Sequence, residues 1–514
     1  MKLSELVREF PFSHTPLTGD VDIAGIVSDS RLVQPGYIFV ALAGGTTDGH
    51  LYIPAALERG AVAVVGMHPL GHLEVPYLQV EDSRMALPRL AAAFHGFPGR
   101  KLTVIGVTGT DGKTTTTNLI HAILQAEGYK SGMISTINAV IGEQVLDTGF
   151  HVTTPDAPDV QRYLANMVNA GLTHVVLEVT SHGLAQYRVD ASEFDVAVVT
   201  NITHEHLDYH GSYESYRSAK ARLVMSLDST STKSQGNPRV AVLNRDDASF
   251  EYLSLVSTGS ILTYGFHPQA EIRPQAIQYE IEGLSFEVIG RDLKFPCKCP
   301  LIGAFNISNY LAAITATVYA LGVSPQAAQV GIAAIKHVPG RMEKIDLGQN
   351  FIAIVDFAHT PNALHAALTT ARQITHGRVI AVCGAAGLRD RQKRRMMAET
   401  SLELADLTVL TAEDPRSESL EDILAEMAAG AEHMGGVEGQ TYWRIPDRGE
   451  AIRFAISQTH PGDIVIACGK GHEQSMCFGE IEYPWDDRTA MRAALSEHLG
   501  IPGPQMPRLP TQDH

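Results

Sequence analysis

Several things are scarce in this 514-residue chain, and each scarcity excludes something. No apolar run approaches the roughly 20 residues that cross a bilayer, and the opening Met1-Lys2-Leu3-Ser4-Glu5-Leu6-Val7-Arg8-Glu9-Phe10 lacks the apolar centre of a secretion signal. The sequence therefore predicts a cytoplasmic protein without membrane insertion. Cysteine is rare: there are five, and Cys297 and Cys299 stand one residue apart with no second Cys/His pair at zinc-site spacing nearby. All five read as reduced thiols. Positive charge is also short, with 40 Lys+Arg against 57 Asp+Glu and a net charge of -17, which argues against a non-specific grip on nucleic acid or an anionic membrane. Phosphates, if bound, must be held by individually placed groups.

What is present is ordinary globular material. Hydrophobic residues make up 44% and charged residues 19%, and the length suggests about three domains with an ample core. The most informative stretch is Val104-Ile105-Gly106-Val107-Thr108-Gly109-Thr110-Asp111-Gly112-Lys113-Thr114-Thr115, where a β-branched run breaks into glycines, then Lys-Thr, then an amphipathic stretch over 118–127. This is a strand, a phosphate loop and a helix. Backbone N–H groups of such a loop close on phosphate oxygens, the helix N-terminus adds its positive end, the lysine offsets charge and the threonine hydroxyl suits Mg²⁺. The usual spacing puts glycine five residues before Gly112, but Val107 stands there and Gly106 lies one residue too early.

Ahead of this loop, residues 1–98 show short apolar runs (37–42 and 61–65) between turns and helical stretches, as in a small α/β domain. Polar loops around Ser28, Ser30 and Gly44-Gly45-Thr46-Thr47 could bind a ligand or merely turn the chain. Phe97-Pro98-Gly99-Arg100 marks a first boundary, and Pro339-Gly340-Arg341 a second. The division reads as 1–98, a central 99–338, a C-terminal 339–500 and a loose proline-rich tail, 501–514. The C-terminal part repeats buried strands at 351–356, 379–384, 407–411 and 463–469, a Rossmann-like pattern without a GxGxxG fingerprint.

In doubly wound sheets ligands bind beyond the carboxyl ends of the strands. The phosphate loop, Glu178 after the run 175–177 and His206 after the run 196–200 therefore share one sheet edge. Alone, Glu178 could be a solvated strand-end carboxylate, and the stretch His204 to His210 has no tidy zinc spacing. Together they offer oxygen and imidazole ligands for a second divalent ion beside a nucleotide. Lys220, on a helix over 213–226, reads from spacing alone as a surface lysine.

Taken in order, Gly109-Thr110-Asp111-Gly112-Lys113-Thr114-Thr115, Glu178-Val179-Thr180-Ser181-His182-Gly183-Leu184, His206-Leu207-Asp208-Tyr209-His210-Gly211, Gly303-Ala304-Phe305-Asn306, Gly340-Arg341-Met342-Glu343, Asp356-Phe357-Ala358-His359-Thr360-Pro361 and Gly469-Lys470-Gly471-His472-Glu473 resemble the Mur ligases, most of all those that form the muramoyl tripeptide. The resemblance implies three α/β domains: a small N-terminal one for the UDP end of the substrate, a central ATPase with a mostly parallel sheet, and a C-terminal one for the incoming amino acid. It implies a cytoplasmic monomer of peptidoglycan precursor synthesis that uses ATP, Mg²⁺ and small-molecule substrates. The substrates are UDP-N-acetylmuramoyl-L-alanyl-D-glutamate and a diamino acid.

Residue by residue, the resemblance puts Gly109 to Thr115, Asn306, Arg341 and Asp356 at ATP, and gives catalytic roles to Lys113, Glu178, His206 and Lys220. Thr114, Glu178, His206 and Lys220, the last as a carbamate formed from CO₂, would hold metal. Ser28, Ser30, Gly45, Thr46 and Thr47 match the uridine region. Thr153, Thr154, Thr180, Ser181, Gln186 and Arg188 match the muramoyl-dipeptide region. Arg389, Glu413, Asp414, Pro415, Arg416, Gly469 and Glu473 match the amino-acid region.

Two departures bear on specificity. Diaminopimelate-adding members usually read Asp-Asn-Pro-Arg, whereas this chain has Glu413-Asp414-Pro415-Arg416, with Leu388 where an acidic residue usually precedes Arg389. Arg416 keeps a donor fork for a distal carboxylate, while Asp414 adds charge that favours a distal ammonium. Diaminopimelate carries both and is favoured over L-lysine or L-ornithine. Asp111 replaces the usual Asn of the phosphate loop, and its side chain is expected to turn away from the phosphates or to cap a turn. A folylpolyglutamate-synthetase-like ligase and a non-catalytic nucleotide-binding relative are the competing readings.

Overall fold

The strand Thr103–Thr108 is buried at every position and lies between His174–Glu178 and Val196–Val199 in the middle of an 11-stranded sheet. Its β-branched residues suit a strand covered on both faces. Outward on one side run Val196–Val199, Val240–Asn244 and Ser260–Tyr264, and on the other His174–Glu178 and Ser131–Ile134, all parallel. Antiparallel strands close both edges, including the Ile272–Glu280, Gly283–Gly290 and Leu293–Cys299 ladder. This computed structural model describes residues 1–8, 19–44, 47–146, 153–203, 207–280 and 283–513.

Register sets the site. Val107 pairs with Glu178 and Thr108 with Val199, so the carboxyl ends of three neighbouring strands finish level and their exit loops converge. The helix Lys113–Ala126 follows the phosphate loop and buries Leu119, Ile120, Ile123 and Leu124, each worth about 1.5–3 kcal/mol of burial. On the other face of the sheet, the helix Tyr213–Met225 starts from Ser212, whose hydroxyl accepts from the Ser215 N–H, and buries Tyr216, Leu223 and Val224.

Before the central sheet stands a four-stranded parallel sheet over residues 25–79. After it comes a six-stranded sheet in the order Glu343–Ile345, Ile352–Asp356, Ile464–Cys468, Val379–Cys383, Leu407–Leu410, Tyr442–Arg444. Four of these are the buried strands anticipated from sequence. The short outer two, Glu343–Ile345 and Tyr442–Arg444, and the hairpin Ser475–Phe478 with Ile481–Pro484 are too brief or too polar to show in an apolar pattern.

The tail departs from expectation. Leu509 is 3% exposed and packs with Met506 into an apolar cluster of the C-terminal sheet, and the Thr511 hydroxyl donates to Asp447 at 2.7 Å. Two apolar anchors outweigh a proline-rich composition. No helix among the described residues is long and apolar enough to cross a membrane.

Candidate functional site

The phosphate loop is fixed from beneath by the exit of the neighbouring strand. The Thr200 hydroxyl donates to the Asp111 carbonyl at 2.6 Å, Asn201 Oδ1 accepts from the Asp111 N–H at 2.9 Å, and the Asn201 carbonyl accepts from the Thr110 N–H at 2.8 Å. The loop is crowded where glycine is required. A Cβ at Gly109 would lie 1.8 Å from Thr200 Oγ1, and one at Gly112, which has φ +80°, would lie 2.2 Å from Asn309 Oδ1. Lys113 Nζ folds back to the Thr110 carbonyl at 2.6 Å, and Thr115 is buried.

At the start of the helix, Thr114 Oγ1 donates to Glu178 Oε1 at 3.0 Å. Glu178 is 2% exposed, and its carboxylate also accepts from the Thr136 N–H at 3.0 Å and the Thr136 hydroxyl at 2.8 Å. A hydroxyl and a carboxylate oxygen side by side are hard donors of the kind Mg²⁺ takes. Lys220, also 2% exposed, donates from Nζ to the Gly109 carbonyl at 2.6 Å and sits over the Tyr216 ring. The surface reading of Lys220 is thus corrected: Tyr216 and the loop bury it. Thr110 joins the same cluster through the Tyr216 hydroxyl at 3.0 Å. His206, Gly45 and Thr46 lie outside the described residues.

A cleft of about 240 Å³ opens beside the loop, between Asp111, Asn201, Asn306, Arg341, Asp356 and His359. Asn306 donates to the Ile302 carbonyl at 2.7 Å and accepts from Asn309 at 2.9 Å. Arg341 crosses from the C-terminal part, lies over the Phe357 ring and donates to Thr114 Oγ1 at 3.3 Å. Asp356 accepts from the Met342 N–H at 2.6 Å and the Ala358 N–H at 2.8 Å. Burial raises its pKa, Arg341 opposes that, and Asp111 adds to it. Asp111 lines the same cleft, and its like charge is the smallest of the influences on Asp356.

The muramoyl-dipeptide candidates converge around Glu178. Thr154 Oγ1 meets Thr180 Oγ1 at 3.1 Å and accepts from the Thr180 N–H at 3.0 Å. Thr180 caps the short helix that begins at buried Ser181. Arg188 donates to the Thr154 carbonyl at 2.8 Å and to Gln186 Oε1 at 3.0 Å, and Thr153 adjoins this group, half-buried. Ser28 and Ser30 stand half-buried after the first strand of the N-terminal sheet, and Thr47 is exposed. Nearby, Asp48, His50 and His68 cluster closely enough to suggest a metal. However, His50 Nε2 accepts from the Met67 N–H at 2.9 Å, so Nδ1 carries the proton that bonds Asp48 at 2.6 Å, and both ring nitrogens serve the fold.

A second cavity, about 550 Å³, lies at the carboxyl edge of the C-terminal sheet; Arg389, Lys393, Glu413, Arg416 and Glu473 line it, with Thr203 from the central part. Gly469 is tight against Glu413, for a Cβ there would lie 2.1 Å from Glu413 Oε2. Glu413 is buried, its Oε2 has no hydrogen-bond partner among the described residues, and burial raises its pKa. Pro415 is buried and Arg416 half-buried.

Here the sequence reading needs a correction. Asp414 is not an open charge awaiting an ammonium. Both of its oxygens lie 3.0 Å from Lys470 Nζ, and Oδ1 also accepts from the Cys477 N–H at 2.8 Å. Sequence reasoning missed Lys470, Thr136, Thr200, Asn201 and Asn309. Thr200-Asn201, as the polar exit of a buried strand, and Lys470, inside the motif Gly469-Lys470-Gly471-His472-Glu473, carried a local signal.

Comparison with known proteins shows the family. The Mur ligase family catalytic domain matches residues 22–95, the Mur ligase middle domain residues 107–317, and the Mur ligase glutamate ligase domain residues 340–471. The chain is 44% identical to a UDP-N-acetylmuramyl-tripeptide synthetase of Roseiflexus sp., over 98% of this chain and 100% of that protein. It is 41% identical to a UDP-N-acetylmuramoyl-L-alanyl-D-glutamate--2,6-diaminopimelate ligase of Geobacillus thermodenitrificans, over 97% of this chain and 100% of that protein. A solved structure of a ligase with that second name has a TM-score of 0.67 and 30% identity, covering 97% of this chain and 100% of the other. With these matches running the length of the chain over an α/β fold built on three large sheets, the protein is a ligase and belongs to the Mur ligase family.

Proposed function

We propose that this ligase uses ATP to join a diamino acid, diaminopimelate in preference to L-lysine or L-ornithine, to UDP-N-acetylmuramoyl-L-alanyl-D-glutamate in peptidoglycan precursor synthesis. The observation that carries the reading is the shared wall of the two cavities. Phe357, His359 and Asn362 line both the cleft beside the phosphate loop and the cavity holding Arg389 and Arg416. A phosphoryl donor and an amine acceptor bound on either side would meet at one edge.

The chemistry needs such an edge because a carboxylate is a poor electrophile. A D-glutamyl carboxylate oxygen attacks the γ-phosphorus and ADP leaves. The amine then attacks the carbonyl carbon of the acyl phosphate, the bond from that carbon to the phosphate oxygen breaks, and the amine loses a proton as the amide forms. Lys113 offsets charge on the transferring phosphoryl group, and the loop N–H groups hold the phosphates. Asn306, Arg341 and Asp356 bind the adenine nucleotide.

Thr114, Glu178 and His206 suit Mg²⁺, which when bound would neutralise phosphate charge. Lys220 joins them as a carbamate, an anion whose remaining N–H can keep the bond to the Gly109 carbonyl. Ser28, Ser30 and the 45–47 loop receive the uridine nucleotide. Thr153, Thr154, Thr180, Ser181, Gln186 and Arg188 receive the muramoyl dipeptide. Arg389, Arg416, Gly469 and Glu473 receive the diamino acid, with Arg416 on its distal carboxylate.

The test is to supply ATP, Mg²⁺ and UDP-N-acetylmuramoyl-L-alanyl-D-glutamate with diaminopimelate, L-lysine or L-ornithine separately, and to follow phosphate release and product mass. Turnover is expected to be fastest with diaminopimelate. A preference for lysine or ornithine would overturn the assignment of Arg416, and no turnover with any of the three would overturn the reading of the site.

A further inference from the structure

Both arginine-bearing loops of the larger cavity hold strained backbone. Leu388, just before Arg389, has φ +55°, and Asp414 and Arg416, on either side of Pro415, have φ +45° and +53°. Side-chain-bearing residues in the left-handed region persist only where their surroundings over-determine them. The surroundings here are specific. The Gly387 N–H donates to the Asp414 carbonyl at 2.9 Å, tying one loop to the other. The Arg416 N–H donates to the Cys477 carbonyl at 3.0 Å, and the Arg416 carbonyl accepts from the Gly479 N–H at 2.7 Å, laying the loop along the hairpin.

One side chain holds this assembly from behind. Lys470 is fully buried and forms no part of the cavity lining. Its Nζ lies 3.0 Å from both Asp414 oxygens and 2.5 Å from Glu473 Oε2, and both of those carboxylates line the cavity. Burial works against its charge, yet Glu473 and Asp414 carry its pKa above the ordinary lysine value.

We propose that Lys470 is a positioning residue for diamino-acid recognition, clamping Asp414 and Glu473 so that the strained 414–416 loop presents Arg416, and cancelling the charge that Asp414 brings to the cavity wall. The proposal rests on the amino-acid reading of this cavity. Its consequence is that Asp at 414 does not by itself turn the site toward an ammonium. Without Lys470, the carboxylates of Glu413, Asp414 and Glu473 would face the cavity together, repelling a distal carboxylate while the loop bearing Arg416 relaxes.

The experiment compares wild type, Lys470→Met and the double variant Lys470→Met/Asp414→Asn in the ligation assay. In Lys470→Met the diaminopimelate KM is expected to rise about 10–100-fold, with the ATP and muramoyl-dipeptide KM values within about 2-fold of wild type. The ratio of kcat/KM for diaminopimelate to that for lysine is expected to fall about 10-fold or more, a readout that general loosening would not move. The double variant removes the uncompensated charge and keeps an acceptor for the Cys477 N–H, so its diaminopimelate KM should lie between the other two. Should Lys470→Met fail to fold, the double variant carries the comparison with wild type. A diaminopimelate KM and selectivity ratio equal to wild type, or KM values for all three substrates rising together, would overturn the role of Lys470. Absence of turnover by wild type would overturn the cavity reading, and this proposal with it.

Discussion

Thr114 and Glu178 are 64 positions apart, yet Thr114 Oγ1 donates to Glu178 Oε1 at 3.0 Å because both lie at the carboxyl ends of two neighbouring parallel strands. The hydroxyl opens the phosphate-loop helix and the carboxylate ends the adjacent strand. Arg341 then reaches the same hydroxyl from the C-terminal sheet at 3.3 Å. Nucleotide-loop chemistry and interdomain contact thus converge on one oxygen.

Glu178→Gln tests the carboxylate. The amide oxygen can still accept from Thr136, so the fold should survive with a nearly unchanged melting temperature. Removing the negative charge should shift the Mg²⁺ titration of turnover to higher concentration and lower kcat about 100-fold or more. A Mg²⁺ titration superimposable on wild type would remove Glu178 from the metal role.

Lys220→Ala separates nucleotide binding from ligation. Its amine donates to the Gly109 carbonyl of the loop backbone, and ATP affinity is expected to stay within about 3-fold of wild type. Ligation should fall by about 100-fold or more if its carbamate helps stabilise phosphoryl transfer. Wild-type enzyme depleted of bicarbonate should lose turnover and regain it on resupply. Normal turnover by Lys220→Ala would rule the carbamate out.

Arg416→Ala should raise the KM for diaminopimelate about 10–100-fold while leaving that for ATP unchanged, because a buried carboxylate deprived of its fork loses a charge-assisted bidentate pair. Lysine, with no distal carboxylate, should lose far less. An unchanged diaminopimelate KM would take Arg416 out of the site.

What could be read from sequence was what is written contiguously. The phosphate loop, its helix and the strand-end position of Glu178 follow from runs of adjacent residues, since strand, turn and helix start are local choices. Lys220 looked like a surface residue because its burial depends on Tyr216 and on the loop at Gly109, 111 positions away. The ion pair of Asp414 with Lys470 joins segments 56 positions apart, so no pattern around Asp414 could disclose that its charge was already committed. The tail misled for the opposite reason: its prolines spoke for a loose chain, and only the packed positions of Met506 and Leu509 reveal the anchor.

The buried imidazoles give the protein an acid-side instability whose sign can be worked out. His121 lies inside the phosphate-loop helix, 8% exposed, with Nδ1 3.0 Å from the Ser131 hydroxyl. Burial lowers its pKa from 6.5 to about 4, and burial likewise takes His174 to about 4 and His472 to about 3. Between pH 6.5 and 4 the unfolded chain binds a proton at His121 that the folded chain refuses. Stability at this site is therefore fully present above pH 6.5, falls as pH drops toward 4, and is level below; the full loss is roughly 3 kcal/mol. His121→Phe cannot take up that proton. It should lose about 1 kcal/mol at pH 7.5 through the unpaired Ser131 hydroxyl, yet lose less further stability than wild type on acidification, since one of the burial-lowered imidazoles no longer contributes. Thermal unfolding midpoints of both proteins at pH 7.5, 6, 5 and 4 (about one step per unit) read the difference, which isolates this imidazole from the carboxylates both proteins share. Parallel pH curves would show that His121 accepts its proton in the folded state as easily as in the unfolded one.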